Sequence, residues 1–285
     1  MSLIIGEISY TNILPMFYYI NREKLIKSGC KFVPAIPSKL NKDMASGQVH
    51  VGGISSFSYG EHSSEYKILS DLSVSSTNQV GSIFLFSKYP IEKLEAAKIA
   101  LTSSSATSVN LLKIILQRFY ELGVSFETTF PNYEHMMDHY DACLLIGDDA
   151  ILASKGKSAD IYQYDLGELW ARFTNLPMTY AVFAFRNETL EKEKQLLTEV
   201  HRQFLNSKAR CIDNDFQEMI KSIQYQLGGT NRFWSRYFAG LNYQLTERHL
   251  EGLYHYYDLA NELKLLDEPV REISIWKPTG QFHSV

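Results

Sequence analysis

The 285-residue chain has little of what builds special chemistry. Its three cysteines, Cys30, Cys143 and Cys211, are scattered, with no CxxC pair or Cys/His cluster. A disulfide framework and a structural zinc site are therefore disfavoured. Cys143 lies in the apolar run "DACLLIGD" and reads as a buried, inert thiol. The eight histidines show no HExxH or HxH pattern: His50 falls within a strand, and His135, His139, His249 and His255 fall on helix faces. No GxGxxG follows a strand and no GxSxG elbow occurs, which excludes a nucleotide fingerprint and a serine-hydrolase triad.

Long apolar runs are also missing. No stretch reaches the roughly 18 residues of a membrane span, and no basic segment followed by an apolar one opens the chain. The expectation is a soluble, cytoplasmic protein with no membrane partner. Basic charge is not in excess: a net charge of −4 and a pI near 6.1 leave no footprint for nucleic acid. A small anion stays open as a ligand, because helix ends and hydroxyls bind one without net positive charge. There is no repeat, low-complexity run or Gly/Ser linker.

What is present is an ordinary globular balance, 45% hydrophobic and 21% charged, in a chain long enough for one large domain or two lobes. Strands and helices alternate. "LIIGEIS", "KFVPAIP" and "VHVGGISS" read as strands, with "ILPMFYYINREKL" and "SKLNKDMASGQ" as the helices between them. A second series follows: strands "KIALTS", "FETTF" and "DACLLI", and a helix over "ATSVNLLKIILQRFYELG" with Val109, Leu112, Ile115, Leu116 and Phe119 at helical spacing. Long strand-like crossings near 82–90 and 178–187 join the two series. From Glu188 to Asp267 the pattern is helical, and the tail from Glu268 reads as a surface extension. The expected class is α/β: a two-lobed fold of mixed sheets flanked by helices. Residues 1–86 and 181–285 form lobe I, an inserted lobe II spans 87–180, and a binding cleft lies between them.

Four polar clusters fall where a strand ends and a helix starts: Ser9-Tyr10-Thr11-Asn12, Ser55-Ser56, the run "TSSSATS" from Thr102 to Ser108, and Gly147-Asp148-Asp149. All are expected to face the cleft. The serine-threonine run has no lysine and is no P-loop. Its hydroxyls at a helix N-terminus can cradle a carboxylate, although one of them would suffice as a plain N-cap. Asp148 and Asp149 read as a general base, metal ligands or acids placed to suit a helix N-terminus; on spacing alone the last role leads. Asn12 reads as a helix cap or as part of the site.

Read in order, "ISYTNILPMFY", "VGGISSFSY", "LSDLSVSSTNQVGSIFLFSK", "TSSSATSVNLLKIIL", "ACLLIGDDAI" and "YDLGELWARFTNLPMTYAVFAFR" resemble successive motifs of the MqnA/MqnD family of menaquinone biosynthesis. The likeness spans about residues 3 to 187. The first motif, Ser-Tyr-x-Asn-x-x-Pro, is similar to the chorismate dehydratase branch. It is unlike the sister branch, which cleaves cyclic dehypoxanthinyl futalosine. The resemblance implies a two-lobed type II periplasmic-binding-protein-like fold and dehydration of chorismate to 3-[(1-carboxyvinyl)oxy]benzoate in the futalosine route, without cofactor or metal.

On that reading Asn12 is the catalytic residue, beside the ring. Ser104, Ser105, the Ala106 N–H and Thr107 hold one carboxylate, and Ser55, Ser56 and Ser82 hold the other or the ether side. Ser9, Tyr10 and Asp148 complete the substrate contacts. The base is Asp148, a water or a carboxylate of the substrate. A non-catalytic binder of small carboxylates is the alternative, and the chain is expected to be a monomer or a homodimer. Thr11, Ile13, Asp149, Asn175 and Thr179 depart from the family's usual residues.

Overall fold

Two separate sheets form in the computed structural model, which describes residues 2–278. The chain opens with β1 (Leu3–Ile8), a short 3-10 helix (Thr11–Met16), α1 (Arg22–Lys27), β2 (Cys30–Ala35), α2 (Pro37–Ala45), β3 (Val51–Ser55), α3 (Ser56–Glu61) and β4 (Tyr66–Ser76). It continues with β5 (Ile83–Ser87), β6 (Lys98–Thr102), α4 (Thr107–Ile114), β7 (Ser125–Thr129), α5 (Tyr133–His139), β8 (Ala142–Ile146), α6 (Gly147–Gly156), β9 (Tyr162–Asp165) and α7 (Leu166–Thr174). Then come β10 (Met178–Arg186), α8 (Asn187–Asp213), α9 (Gln217–Leu227), α10 (Asn231–Gly240), α11 (Glu247–Glu262) and β11 (Ile275–Trp276).

The first sheet runs β11-β4-β10-β3-β1-β2 and the second β7-β6-β8-β5-β9. In each, parallel strands meet one antiparallel newcomer: β10 pairs antiparallel with β3 and β4, and β5 with β8 and β9. Both sheets are therefore mixed. The central strands β3, β5 and β8 are buried along their whole length.

Several expectations need correction. Residues 83–86 were expected in lobe I and 178–180 in lobe II, but β5 bonds within the second sheet and β10 within the first. The chain changes sheet before each of these strands, at 77–82 and 166–177. The expected helix over 13–25 is two pieces, because Pro15 sits in a 3-10 turn and Asn21 caps a fresh helix by accepting from Lys24 N. β4 is not among the expected strands; its Ser73 and Ser75 are fully buried, and their hydroxyls donate to the carbonyls of Gln244 and Asn242. The tail is not merely a surface extension either. Ile275–Trp276 adds a parallel edge strand to β4, and Trp276 packs on Phe185; its last residues, 279–285, lie outside those described.

One buried carboxylate governs the first crossing. Asp165, at the end of β9, accepts from the N–H groups of Val80 and Gly81 in the crossing and of Gly167 and Glu168 in the first turn of α7. Burial pushes its pKa up, and the four N–H donors work against that rise. Removing it strands four amide donors. Asp165→Ala should cost about 3 kcal/mol in denaturant unfolding, and a loss inside measurement error would show that water satisfies those amides instead.

Candidate functional site

The sheets meet with their strand ends facing a small cavity of about 40 Å³. Tyr10 and Asn12 line it from the turn after β1, Ser55 from the end of β3, Ser105 and Ser108 from the start of α4, Gly147 from the start of α6, and Tyr180 from β10. Ile8, Ile13, Val74, Ile83 and Ile146 supply an apolar floor. No Asp, Glu, His, Lys or Arg is among the lining residues. Its ionisable groups are two phenols. Burial pushes Tyr10 up to about 12 and Tyr180 well above its ordinary value.

Asn12 stands in the first turn of the 3-10 helix and is not its cap; Tyr10 occupies that position and makes no side-chain cap bond. The Asn12 Oδ1 atom is buried without a hydrogen-bond partner, in the wall of the cavity. A buried acceptor left unmet costs roughly 1–3 kcal/mol. Of the buried side-chain atoms without a partner among the described residues, it is the one whose residue lines this cavity.

The other expected residues divide. Ser55 lines the cavity while serving the fold: it caps α3 by accepting from Ser58 N, and Asn41 Nδ2 donates to its hydroxyl. Ser105 also lines it, and caps its own turn by accepting from Ser108 N. Ser56 and Thr107 are fully engaged elsewhere. Thr107 Oγ1 accepts from Phe57 N and donates to the Tyr180 carbonyl, both at 3.0 Å, and Ser56 Oγ donates to the Thr179 carbonyl at 2.6 Å. Ser82 is fully buried against Tyr237, whose hydroxyl donates to it. Ser9 is exposed, and neither Ser104 nor Ala106 lines the cavity; Ser104 Oγ meets the Tyr10 hydroxyl, and the Ala106 carbonyl accepts from Asn110. Ser108, Gly147 and Tyr180 were not singled out as site residues. Ser108 and Gly147 stood within the flagged clusters, whereas Tyr180 gave no signal because a tyrosine within a buried strand reads as core.

Asp148 does not line the cavity. It faces the turn after β1, where Thr11 donates to its Oδ1 from the hydroxyl at 2.6 Å and from the backbone at 3.4 Å. Beside it the Tyr10 hydroxyl donates to Asp149 at 3.2 Å. Two carboxylates on α6, which follows the second sheet, thus hold a turn of the first. Both carry raised pKa values, chiefly through burial. Gly147 makes the approach possible: its φ is +59°, and a Cβ there would lie 2.8 Å from the Tyr10 ring. Thr11 and Asp149, departures from the usual residues, are thus two of the four partners in this contact. Asn175, another departure, ends α7 with φ +57°, a left-handed conformation that asparagine tolerates next best to glycine.

A cavity between two mixed α/β sheets, at the carboxyl ends of their parallel strands, defines a periplasmic-binding-protein-like fold. Solved structures of that class resemble it. A protein from Archaeoglobus fulgidus matches with a TM-score of 0.73 at 20% identity, covering 93% of this chain and 98% of its own. The alkanesulfonate-binding protein SsuA from Xanthomonas axonopodis pv. citri, bound to MOPS, matches at 0.70 and 15% identity, covering 96% and 98%. Within this class the chain belongs to the family described as "Menaquinone biosynthesis", whose profile matches residues 3–262. A chorismate dehydratase of Thermus thermophilus is 30% identical over 272 residues, 88% of this chain and 92% of that protein. One of Campylobacter jejuni is 28% identical over 235 residues, 79% and 87%.

The Asp148 contact has a pH signature. A carboxyl whose folded pKa is raised favours the folded state while protonated, and that advantage is lost as pH rises through the folded value. Asp148→Asn keeps an acceptor for Thr11 without the buried charge. The difference in Tm, variant minus wild type, should therefore grow more positive as pH rises from the ordinary aspartate value of 3.8 toward neutrality. A difference that stays flat or falls over that range contradicts the raised pKa.

Proposed function

We propose that the protein is a chorismate dehydratase, a hydro-lyase that converts chorismate to 3-[(1-carboxyvinyl)oxy]benzoate. The observation that carries this reading is the unpartnered Asn12 Oδ1 in a cavity lined by hydroxyls and amides but by no acid or base of ordinary pKa. Two named relatives of similar length support it. The chemistry suits such a site. The C3–H electrons become part of the aromatic ring as the C4 hydroxyl leaves with its bonding pair. The hydroxide then takes up a proton, and the products are the benzoate and water. Aromatisation drives the reaction, so the protein has geometry to hold and one proton transfer to manage.

Asn12 accepts from the C4 hydroxyl or holds the enolpyruvyl side chain against the ring. Ser55, Ser105 and Ser108 hold the carboxylates. The phenols of Tyr10 and Tyr180 remain protonated at neutral pH, and asparagine is no base. Asp148 is held by Thr11 outside the cavity wall. We assign the proton at C3 to a carboxylate of the substrate, the ionised group that the substrate itself brings into the cavity. Small-molecule pockets hold roughly 300 Å³ or more, and this cavity about 40 Å³. Entry of chorismate requires the Thr11–Asp148 and Tyr10–Asp149 contacts to part, and closure restores them around the ligand.

Incubation with chorismate, followed by absorbance and mass, should show loss of water and a new aromatic chromophore. Saturable binding without product would make the protein a carboxylate binder. Asn12→Ala should lower kcat by about 100-fold or more with the circular dichroism spectrum unchanged, and near-normal turnover would remove Asn12 from the reaction. With a substrate carboxylate as base, kcat/KM should show no enzymic ionisation between about pH 6 and 9. A limb with an apparent pKa inside that range, abolished by Asp148→Asn, would make Asp148 the base.

A further inference from the structure

A second cavity, of about 460 Å³, lies outside the site just described, between α6 and α10 and over the crossing that leads into β5. Phe84, Ile151, Phe233 and Tyr237 give it an apolar wall, with Gln79 and Ser154 beside them. Two cations stand at its rim, Lys155 from α6 and Arg236 from α10. No carboxylate is among its lining residues, and among the described residues neither cation has an acidic partner. Lys155 is held in place all the same, with its ammonium 4.7 Å from the Phe233 ring centre and 5.6 Å from that of Trp234.

An apolar pocket of this size suits a small molecule. Two unpaired cations over aromatic walls select a particular chemistry: a planar ring for Phe233 and Tyr237 to face, and an anionic group for the guanidinium and ammonium to meet. A simple inorganic anion meets the cations and leaves the aromatic wall unused. We propose that this pocket is a second ligand site, for a small aromatic carboxylate. An occupant touches α6 and α10 at once. It also lies against Tyr237, whose hydroxyl donates to Ser82 Oγ at 3.0 Å, while the Ser82 carbonyl accepts from Gly147 N at 2.7 Å. Gly147 lines the first cavity, so the two sites share α6.

The probe is 2-naphthoate, titrated into the full chain by calorimetry, with neutral 2-naphthamide as the charge control. The expected result is saturable naphthoate binding at a stoichiometry of about one, with each of Lys155→Gln and Arg236→Gln weakening it about tenfold. The amide should bind about tenfold more weakly to the wild type. Binding should survive Asn12→Ala. Each arm can overturn the proposal. No saturable binding at millimolar probe removes the site. Equal binding by the two charge variants, with their Tm unchanged, or by the amide removes the carboxylate from its ligand. Loss in Asn12→Ala assigns the naphthoate to the first cavity. None of these outcomes depends on turnover, so the dehydratase reading stands or falls separately.

Discussion

Thr107 is 1% exposed, and its single hydroxyl ties the two sheets together. It accepts from Phe57 N in α3, donates to the Tyr180 carbonyl in β10, and meets Ser56 Oγ at 3.2 Å. Helix α4 follows a strand of the second sheet, whereas α3 and β10 belong to the first. A buried hydroxyl with donor and acceptor both used is costly to pull apart, because each freed partner would stay desolvated. Around it Tyr256 donates to the Thr107 carbonyl and Tyr257 to that of Ser56, so the helical block closes over the same point. The rest of the site depends on this knot: Ser55 stands one residue before Ser56, and Ser105 and Ser108 flank Thr107. With the knot in place, two strand ends and two helix starts face one another at hydrogen-bonding range.

The contacts on the far side of the cavity are of another kind. Asp148 and Asp149 are partly exposed carboxylates that accept from Thr11 and Tyr10. Charge left in a half-buried place is tolerated when water can return to it, and such contacts open at lower cost than a fully desolvated neutral one. A fixed neutral join on one side and a weaker charged join on the other suit a cleft that opens from one edge. The same division keeps the charged groups out of the cavity wall, where a resident base would compete with the carboxylates of an acidic substrate for every hydrogen-bond donor.

Much of this was legible in the residues. The two strand-helix series, the helical block from Glu188, and the four polar junctions follow from apolar period and turn chemistry, and the ordered motifs carried the family likeness. The exchange of β5 and β10 between sheets was not legible at the right residues, since a fully buried strand reads alike in either sheet. Nor was β4, whose buried serines pair with backbone that arrives about 170 residues later. Within "TSSSATS" the hydroxyls look interchangeable in sequence. In the fold Thr107 is structural, Ser104 meets Tyr10, and Ser105 and Ser108 reach the cavity.

By itself the sequence determined which residues would stand at strand ends, because local period and capping preference depend on near neighbours. It determined that Asn12 would sit beside hydroxyls at such a junction. Only the tertiary structure decided that Asn12 is not a cap, that its carbonyl oxygen has no partner, and that Asp148 turns away to hold Thr11. The reason is physical: a side chain's hydrogen-bonding state depends on which distant group reaches it, and the partners that matter here lie between 50 and 201 residues away along the chain.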